Sequence, residues 1–567
     1  MILKSGLKGR EKAEALGKEL DKLKEARKAF EPDWETAQEF VSSAVLSFTR
    51  DQDSSDKKYI LPTRITSRPS NFMETLVAGV SGYSVNPNIL WLKLGLENAE
   101  LLDQYGVKDW LEKAEGELYR AYNKGNLYAQ IPGFIENAAT FGHAVMLIDE
   151  QIQDRRIRTS NMDIRELYLD TNEYDEVDTI FREYYMTWEN AAAYFGYEKL
   201  ADEITREWLL PHMDPGKKQI RILHAVYPSK NEKGAYTPNK FPYASVFVDL
   251  DHKHIIREGG YDDFPYAVYF WKRLTGKKYG IGPAMMAMSD VSLLHKFEAA
   301  RLDVAQLSAQ PPLNVPEQMQ GAEDIVPDGR NYYAHAGEVI APIQVGVNFP
   351  ITLEITQQQE ERIKEWFHVD FFLMLSKMNL SQMTATAVVE LQGEKAAVLS
   401  TMVSNFNYAL QKIIQRSVDI CFRQERFPEL PFALQQTQTA MKVDFIGVLA
   451  QAQKRAHETS GLMQGLQIMG VLANIAKAVP DVAQAFDYVN TEEIVKRGFD
   501  SAGASQLIIR EDDDVQALRQ ARAEQQAAMV QAERQMQAQE LLAKNYKNLN
   551  EPVNPGSPMA EMEEALG

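Results

Sequence analysis

One cysteine in 567 residues, Cys421, excludes an intrachain disulfide and any zinc cluster built from cysteines, and its scarcity suits synthesis in a reducing compartment. Long apolar runs are missing too. The most apolar long window, Met463 to Val479, is broken by Gln464, Gln467, Asn474 and Lys477, too polar for the roughly 20 apolar residues of a membrane span. The N-terminus, with Lys4, Lys8, Arg10 and Lys12, lacks the apolar core of a secretion signal. The chain therefore reads as soluble, with no membrane partner. Positive charge is in deficit: 80 acidic residues against 61 basic give a net charge of −19. That argues against nucleic-acid affinity spread over the whole surface and leaves room only for a local basic patch.

Catalytic and cofactor motifs are equally scarce. Thr275-Gly276-Lys277-Lys278 lacks the upstream glycine and the hydroxyl of a phosphate loop, so ATP hydrolysis is not expected. No His-Glu-x-x-His occurs, and His252 with His254 reads as a solvated pair in a charged turn. Asp51, Asp53 and Asp56 open like a calcium loop, but Asp56 stands where glycine is needed and Pro62 where a bidentate glutamate is needed. Gly79, Ser81 and Gly82 fit a nucleophile elbow poorly and suit a turn or close helix packing better. No catalytic residue, metal or cofactor is implied, and the chain is expected not to be an enzyme.

What is present is 45% hydrophobic and 25% charged residues, the make-up of a folded protein with several structural units. Residues 7 to 30 predict a charged helix with Leu16, Leu20 and Leu23 on one stripe. Nine Lys or Arg stand among the first thirty residues, interleaved with acids, which favours a surface helix over a nucleic-acid contact. From about 140 to 271 the pattern shifts to short β-branched and aromatic runs: His143 to Ile148, Val177 to Tyr185, Ile220 to Tyr227 and Ala244 to Leu250. Turns are expected at Asp214-Pro215-Gly216 and Glu258-Gly259-Gly260. An antiparallel sheet set among helices makes the class α+β, predominantly helical.

Gly282-Pro283 predicts a helix start and Pro311-Pro312 its end, giving a helix over 284–309 with Leu293, Phe297, Ala300, Val304 and Leu307 on one stripe. Six prolines and four glycines between 310 and 352 exclude helix there and predict a loop-rich β insert. A second helix over about 354–375 carries Ile363, Phe367, Phe371 and Met374. After a polar break from Ser376 to Thr384, a long helix is striped by Leu391, Val398, Met402, Phe406, Ala409, Ile413 and Ile420 and stopped by Pro428. Further helices are expected over about 444–498. An Ala- and Gln-rich helix over 516–543, preceded by acids at 511–514, has little to bury alone and is expected to lean on other copies.

In order and spacing these motifs resemble the head-to-tail connector, or portal, proteins of short-tailed (podovirus-type) double-stranded DNA bacteriophages, over about residues 25 to 525. The N-terminal part offers Trp34 with Ala37, Ala78-Gly79-Val80-Ser81-Gly82, Asn86-Pro87, Trp91-Leu92-Lys93-Leu94, Val107 with Trp110-Leu111, and Asn126-Leu127-Tyr128. More specific are Tyr279-Gly280-Ile281-Gly282-Pro283, Pro311-Pro312-Leu313 and Met383-Thr384-Ala385-Thr386-Ala387-Val388, with Ala387 where the family commonly has glutamate.

The resemblance implies a portal fold assembled as a ring, usually of twelve copies, at one capsid vertex. Its regions would be an N-terminal helical and strand-rich wing over 1–283, a first stem helix over 284–309, a clip over 310–352 and a second stem helix over 353–375. A tunnel loop over 376–386, a long wing helix over 387–440, a helical crown over 441–547 and a flexible tail over 548–567 would follow. Implied partners are double-stranded DNA passing through the channel, the terminase large subunit, a tail adaptor protein, and the major capsid and scaffolding proteins. The place of action is the virion, after synthesis in the host cytoplasm. Within this frame Lys377, Asn379 and Gln382 are the expected tunnel-loop residues facing DNA, and Tyr332 and Tyr333 the expected clip anchors, with a packed clip core as the alternative for the tyrosines. The competing readings are a nucleic-acid-processing enzyme and another structural virion protein, of tail or scaffold type; the strands from 140 to 271 speak against a scaffold.

Overall fold

A computed structural model describes residues 7–42, 64–151, 154–210, 212–229, 241–315, 349–377, 400–435, 441–447 and 512–549, with short stretches at 45–46, 59–60 and 340–342 and single positions Glu317, Gly321 and Tyr332. The charged N-terminal segment is helix α1 (Gly9–Arg27), and α2 (Glu31–Val41) follows with Pro32 in its first turn. Strands β1 (Val45–Leu46) and β2 (Tyr59–Ile60) pair before α3 (Arg68–Ser84). Then come β3 (Leu92–Leu96), α4 (Val107–Lys124) and α5 (Leu127–Phe141).

From Gly142 the chain alternates at period two through β4 (His143–Gln151), β5 (Arg156–Asn161), β6 (Leu167–Thr171) and β7 (Val177–Thr187). Helices α6 (Trp188–Phe195) and α7 (Asp202–Trp208) interrupt. The strands resume as β8 (Gln219–Pro228), β9 (Tyr243–Asp249), β10 (His254–Tyr261), β11 (Tyr266–Phe270) and the small hairpin β12 (Lys272–Arg273) with β13 (Gly280–Ile281). Two antiparallel sheets result, one in the order β10-β9-β8-β7-β6 and one in the order β11-β4-β5. On the larger sheet, Leu223, Ala225 and Val248 share a buried cluster with Ala13, Leu16, Leu20 and Leu23 of α1. Ile220, Ile222 and Phe247 share another with Trp188, Ala191 and Ile204 of α6 and α7. The alternation of the strands thus feeds two opposite apolar layers, and the highly charged α1 is a docked helix with one wet face.

The expected turn at Glu258–Gly260 is instead the end of β10, where a Cβ on Gly260 would overlap the Phe241 ring. Asp214–Gly216 does precede β8 as a turn.

The central helix is divided into α8 (Pro283–Met286) and α9 (Met288–Ala309), parted at Ala287. Its expected stripe is corrected: Leu293, Ala300 and Leu307 are exposed, Phe297 and Val304 are half-buried, and the buried residues are Val291, Leu294 and His295. Strands β14 (Leu313–Asn314) and β15 (Ala341–Pro342) pair across the mouth of the insert. The second helix starts earlier than expected, as α10 (Phe349–Trp366), breaks at Phe367–His368 where His368 takes φ +51, and resumes as α11 (Val369–Lys377). Ile363, Phe367 and Phe371 are buried as their spacing predicts. Ser376 and Lys377, expected in the polar break, are helical, and residues 378–384 lie outside the described residues.

Helix α12 (Ser400–Arg423) buries Met402, Phe406, Ala409, Ile413 and Ile420, and the chain turns at Glu425 (φ +52), ahead of Pro428. After α13 (Phe432–Gln435) comes β16 (Met441–Phe445), antiparallel to β3. The expected helical region therefore begins with a strand that belongs to the N-terminal half. Its signal lay in Met441, Val443 and Phe445, alternating with Lys442 and Asp444. The Ala- and Gln-rich segment is α14 (Asp512–Leu549), longer at both ends than 516–543.

Candidate functional site

The residues that gave the sequence its character meet at the joint where α8 leaves the sheets. Trp34, fully buried, packs edge-on against Tyr279 at 5.2 Å between ring centres and tilts against His143 at 5.3 Å; Phe30 closes the group at 5.2 Å from Tyr279. Burial pushes the His143 imidazole down to about 4, so it is neutral at neutral pH. Beneath the rings, backbone meets backbone. A Cβ on Gly280 would overlap the Gly142 carbonyl, one on Gly282 the Ala139 carbonyl, and one on Gly142 the Gly280 carbonyl. Gly142 also caps α5 at φ +80, the left-handed region that glycine enters at least cost. The glycines thus let α5, β13 and the start of α8 approach to backbone distance, and this fixes the direction in which α9 projects.

Helices α9 and α10 pack against each other as the two arms of a hairpin whose far end is the β14–β15 insert. Its base is tied to the body. Trp366 Nε1 of α10 donates to Asp290 Oδ2 of α9 at 3.1 Å, which ties arm to arm, and Arg68 of α3, in the body, pairs with Glu360, whose side chain is largely buried. Phe372 of α11 packs against Gly79 of α3, where a Cβ would overlap its ring, whereas a Cβ on Gly82 would meet nothing within 4 Å; of the two glycines of the poor nucleophile elbow, Gly79 serves helix packing. Away from the base the hairpin opens to solvent. Leu302 is 51% exposed and Leu307 is exposed with it; Leu293 and Trp366, nearer the base, are exposed as well. Exposed charge on the two arms is mostly acidic, with Asp303, Glu354, Glu361 and Glu365 against Lys296 and Arg362.

Of the expected site residues, Tyr332 is 80% exposed, while Tyr333 lies outside the described residues. Lys377 is the last residue of α11; Asn379 and Gln382 lie outside the described residues, as do Asp51, Asp53, Asp56 and the Met463–Val479 window. His252 and His254 are more engaged than a solvated pair: His252 Nδ1 lies 2.7 Å from Oδ2 of the buried Asp249, and His254 Nε2 lies 3.1 Å from the Lys199 carbonyl. Sequence reasoning did not find the Arg68–Glu360 and Trp366–Asp290 ties, which join residues 292 and 76 positions apart and leave no local pattern. Among the described residues no group of three or more His, Cys, Asp or Glu could hold a metal ion, and no helix is long and apolar enough to cross a membrane.

A family model described as bacteriophage head to tail connecting protein matches residues 13–509. The portal protein of Salmonella phage epsilon15 is 27% identical over 538 residues, covering 93% of this chain and 94% of its own length. The probable portal protein of Bordetella phage BPP-1 is 24% identical over 521 residues, covering 90% of this chain and 91% of its own.

Proposed function

This chain belongs to the bacteriophage head to tail connecting proteins, and from that membership we propose how it acts as a phage portal: a ring of about twelve copies through which DNA enters the capsid and leaves it. The portal role makes it a structural component of the virion rather than an enzyme. The observation that carries the ring is the α9–α10 hairpin, which keeps Leu302 and Leu307 in its outer half, and Leu293 and Trp366 nearer its base, exposed in a single chain. Neighbouring copies would cover these residues through heterologous, cyclic contacts.

In this reading the hairpin is the stem, residues between β14 and β15 form the clip that docks the terminase large subunit and later the tail adaptor, and Tyr332 and Tyr333 are clip anchors. The segment after α11 is the tunnel loop, with Lys377, Asn379 and Gln382 holding phosphates loosely. The wing faces the major capsid and scaffolding proteins, and the C-terminal helices form the crown. Synthesis in the host cytoplasm suits the single cysteine. The net charge of −19, and the acidic excess on the exposed hairpin arms, favour a conduit that lets a polyanion slide over one that grips it.

Mass measurement in dilute physiological buffer is expected to find a species near twelve times 64.3 kDa, and images should show closed rings with a central hole. A stable monomer under conditions that favour assembly rejects the ring.

A further inference from the structure

The hairpin between β4 and β5 ends in a concentrated positive point. Arg155, Arg156 and Arg158 are all exposed, Arg155 sits at φ +49 in the turn, and none of the three forms an ion pair among the described residues. In a chain of net charge −19 such a tip is out of character. β5 is one edge of the β11-β4-β5 sheet.

At the opposite edge, beside β11, a cavity of about 510 Å³ opens between the β6–β7 turn, the β10–β11 turn and α12. Six carboxylates line it: Asp175, Glu176, Asp178, Asp262, Asp263 and Asp419. The three cations in its wall are already engaged. Arg273 lies 3.8 Å from Asp175, Arg416 Nη1 lies 3.3 Å from Asp263, and Lys412 stands 5.3 Å from the centre of the Tyr408 ring. The cavity is therefore short of positive charge. Burial and then the neighbouring Asp263 push the Asp419 carboxyl up to about 6, with Arg423 and Arg416 opposing that push. Arg416, whose side chain is 7% exposed, lines the cavity with its Nε lacking a hydrogen-bond acceptor. Tyr243, Tyr266 and Phe270 add aromatic surface.

We propose that this cavity receives the β4–β5 arginine tip of a second copy of the chain. The inference rests on the ring reading above and assigns one contact to it. A guanidinium suits paired carboxylates through its planar fork and stacks on tyrosine rings. A backbone carbonyl of the incoming turn supplies the acceptor that Arg416 Nε lacks. Each copy carries one tip and one cavity, so each gives one such contact and takes one, as a cyclic assembly requires.

The test uses the full chain, whose only native cysteine, Cys421, is buried. The double variant Arg156→Cys with Asp262→Cys, treated with a short bis-maleimide, should give a ladder of covalent oligomers that neither single variant gives. The charge reversal Arg155→Glu with Arg156→Glu should cut the ring fraction at least tenfold while leaving circular dichroism and the melting temperature of the monomer unchanged. Adding Asp262→Arg, which leaves the Arg416–Asp263 pair intact, to that reversal should restore part of the ring fraction. Rings that persist in the reversal variant, or wild-type-like rings from the double-cysteine variant without a ladder, overturn this contact and leave the ring reading intact. Failure of the wild-type chain to form rings at any concentration removes the ring reading and this contact with it.

Discussion

The joint around Tyr279 and the α9–α10 hairpin stand in opposite relation to solvent. At the joint, aromatic rings and bare backbone are packed so closely that three glycines leave no room for a methyl group. In the outer half of the hairpin, Leu302 and Leu307 lie open to water. The first region is complete within one chain; the second, on the ring reading proposed above, is completed by a neighbouring copy. Periodic apolar residues signal burial, but they do not say whether the covering surface comes from the same chain.

The sharpest way to break this contrast is to add one carbon at the joint. Gly282→Ala, with backbone carbonyl where its Cβ must go, should cost about 3 kcal/mol or more of stability, read from the denaturant midpoint. A smaller effect belongs to Glu115 of α4, a buried carboxyl that accepts a hydrogen bond from Leu94 N at 2.8 Å and that burial pushes up to about 7 from an ordinary 4.5. The folded state therefore holds this proton more tightly than the unfolded chain. Its contribution is full below about pH 4.5 and is lost as pH rises through about 7, up to roughly 3 kcal/mol. Glu115→Gln should flatten the pH dependence of the unfolding midpoint between pH 5 and 9; an unchanged profile removes Glu115 as its source.

Gly79→Ala pushes against the Phe372 ring, a side chain that can shift, so about 1 to 2 kcal/mol is expected by thermal unfolding. Smallest of all in the monomer should be Leu302→Gln, within about 0.5 kcal/mol, and the same variant should weaken assembly in sedimentation. A large loss of monomer stability there would mean that the hairpin is covered by its own chain and would erase the contrast.

The difference between the regions also explains how much the sequence disclosed. Stripes that meet their own chain were legible: Leu16, Leu20 and Leu23 dock on the sheet, and Met402, Phe406 and Ile413 are buried. The α9 stripe was misplaced because its inward face is chosen by the packing at its base, where Val291, Leu294 and His295 meet the body. Gly260 suggested a turn because a glycine pair reads as one, whereas here it makes room for Phe241 in a strand. For the candidate site, Tyr279 to Pro283 pointed to the joint, yet its partners Gly142 and Trp34 lie far away in sequence. Nothing local marks the β4–β5 arginines as complements of carboxylates more than a hundred residues onward at Asp262, Asp263 and Asp419.

The pairing of β3 with β16 has a consequence in time. Tyr119 and Glu115 already satisfy Trp91, Leu92 and Leu94 N–H groups on one side of β3, but its other side waits for Met441–Phe445, about 350 residues later. At about 5 to 20 residues per second, translation separates the two strands by tens of seconds. Closing so long a loop comes late in folding as well. A nascent chain therefore carries an unfinished body until the whole hairpin and α12 have left the ribosome. On the ring reading proposed above, a copy is ready to join others only once it is nearly full length.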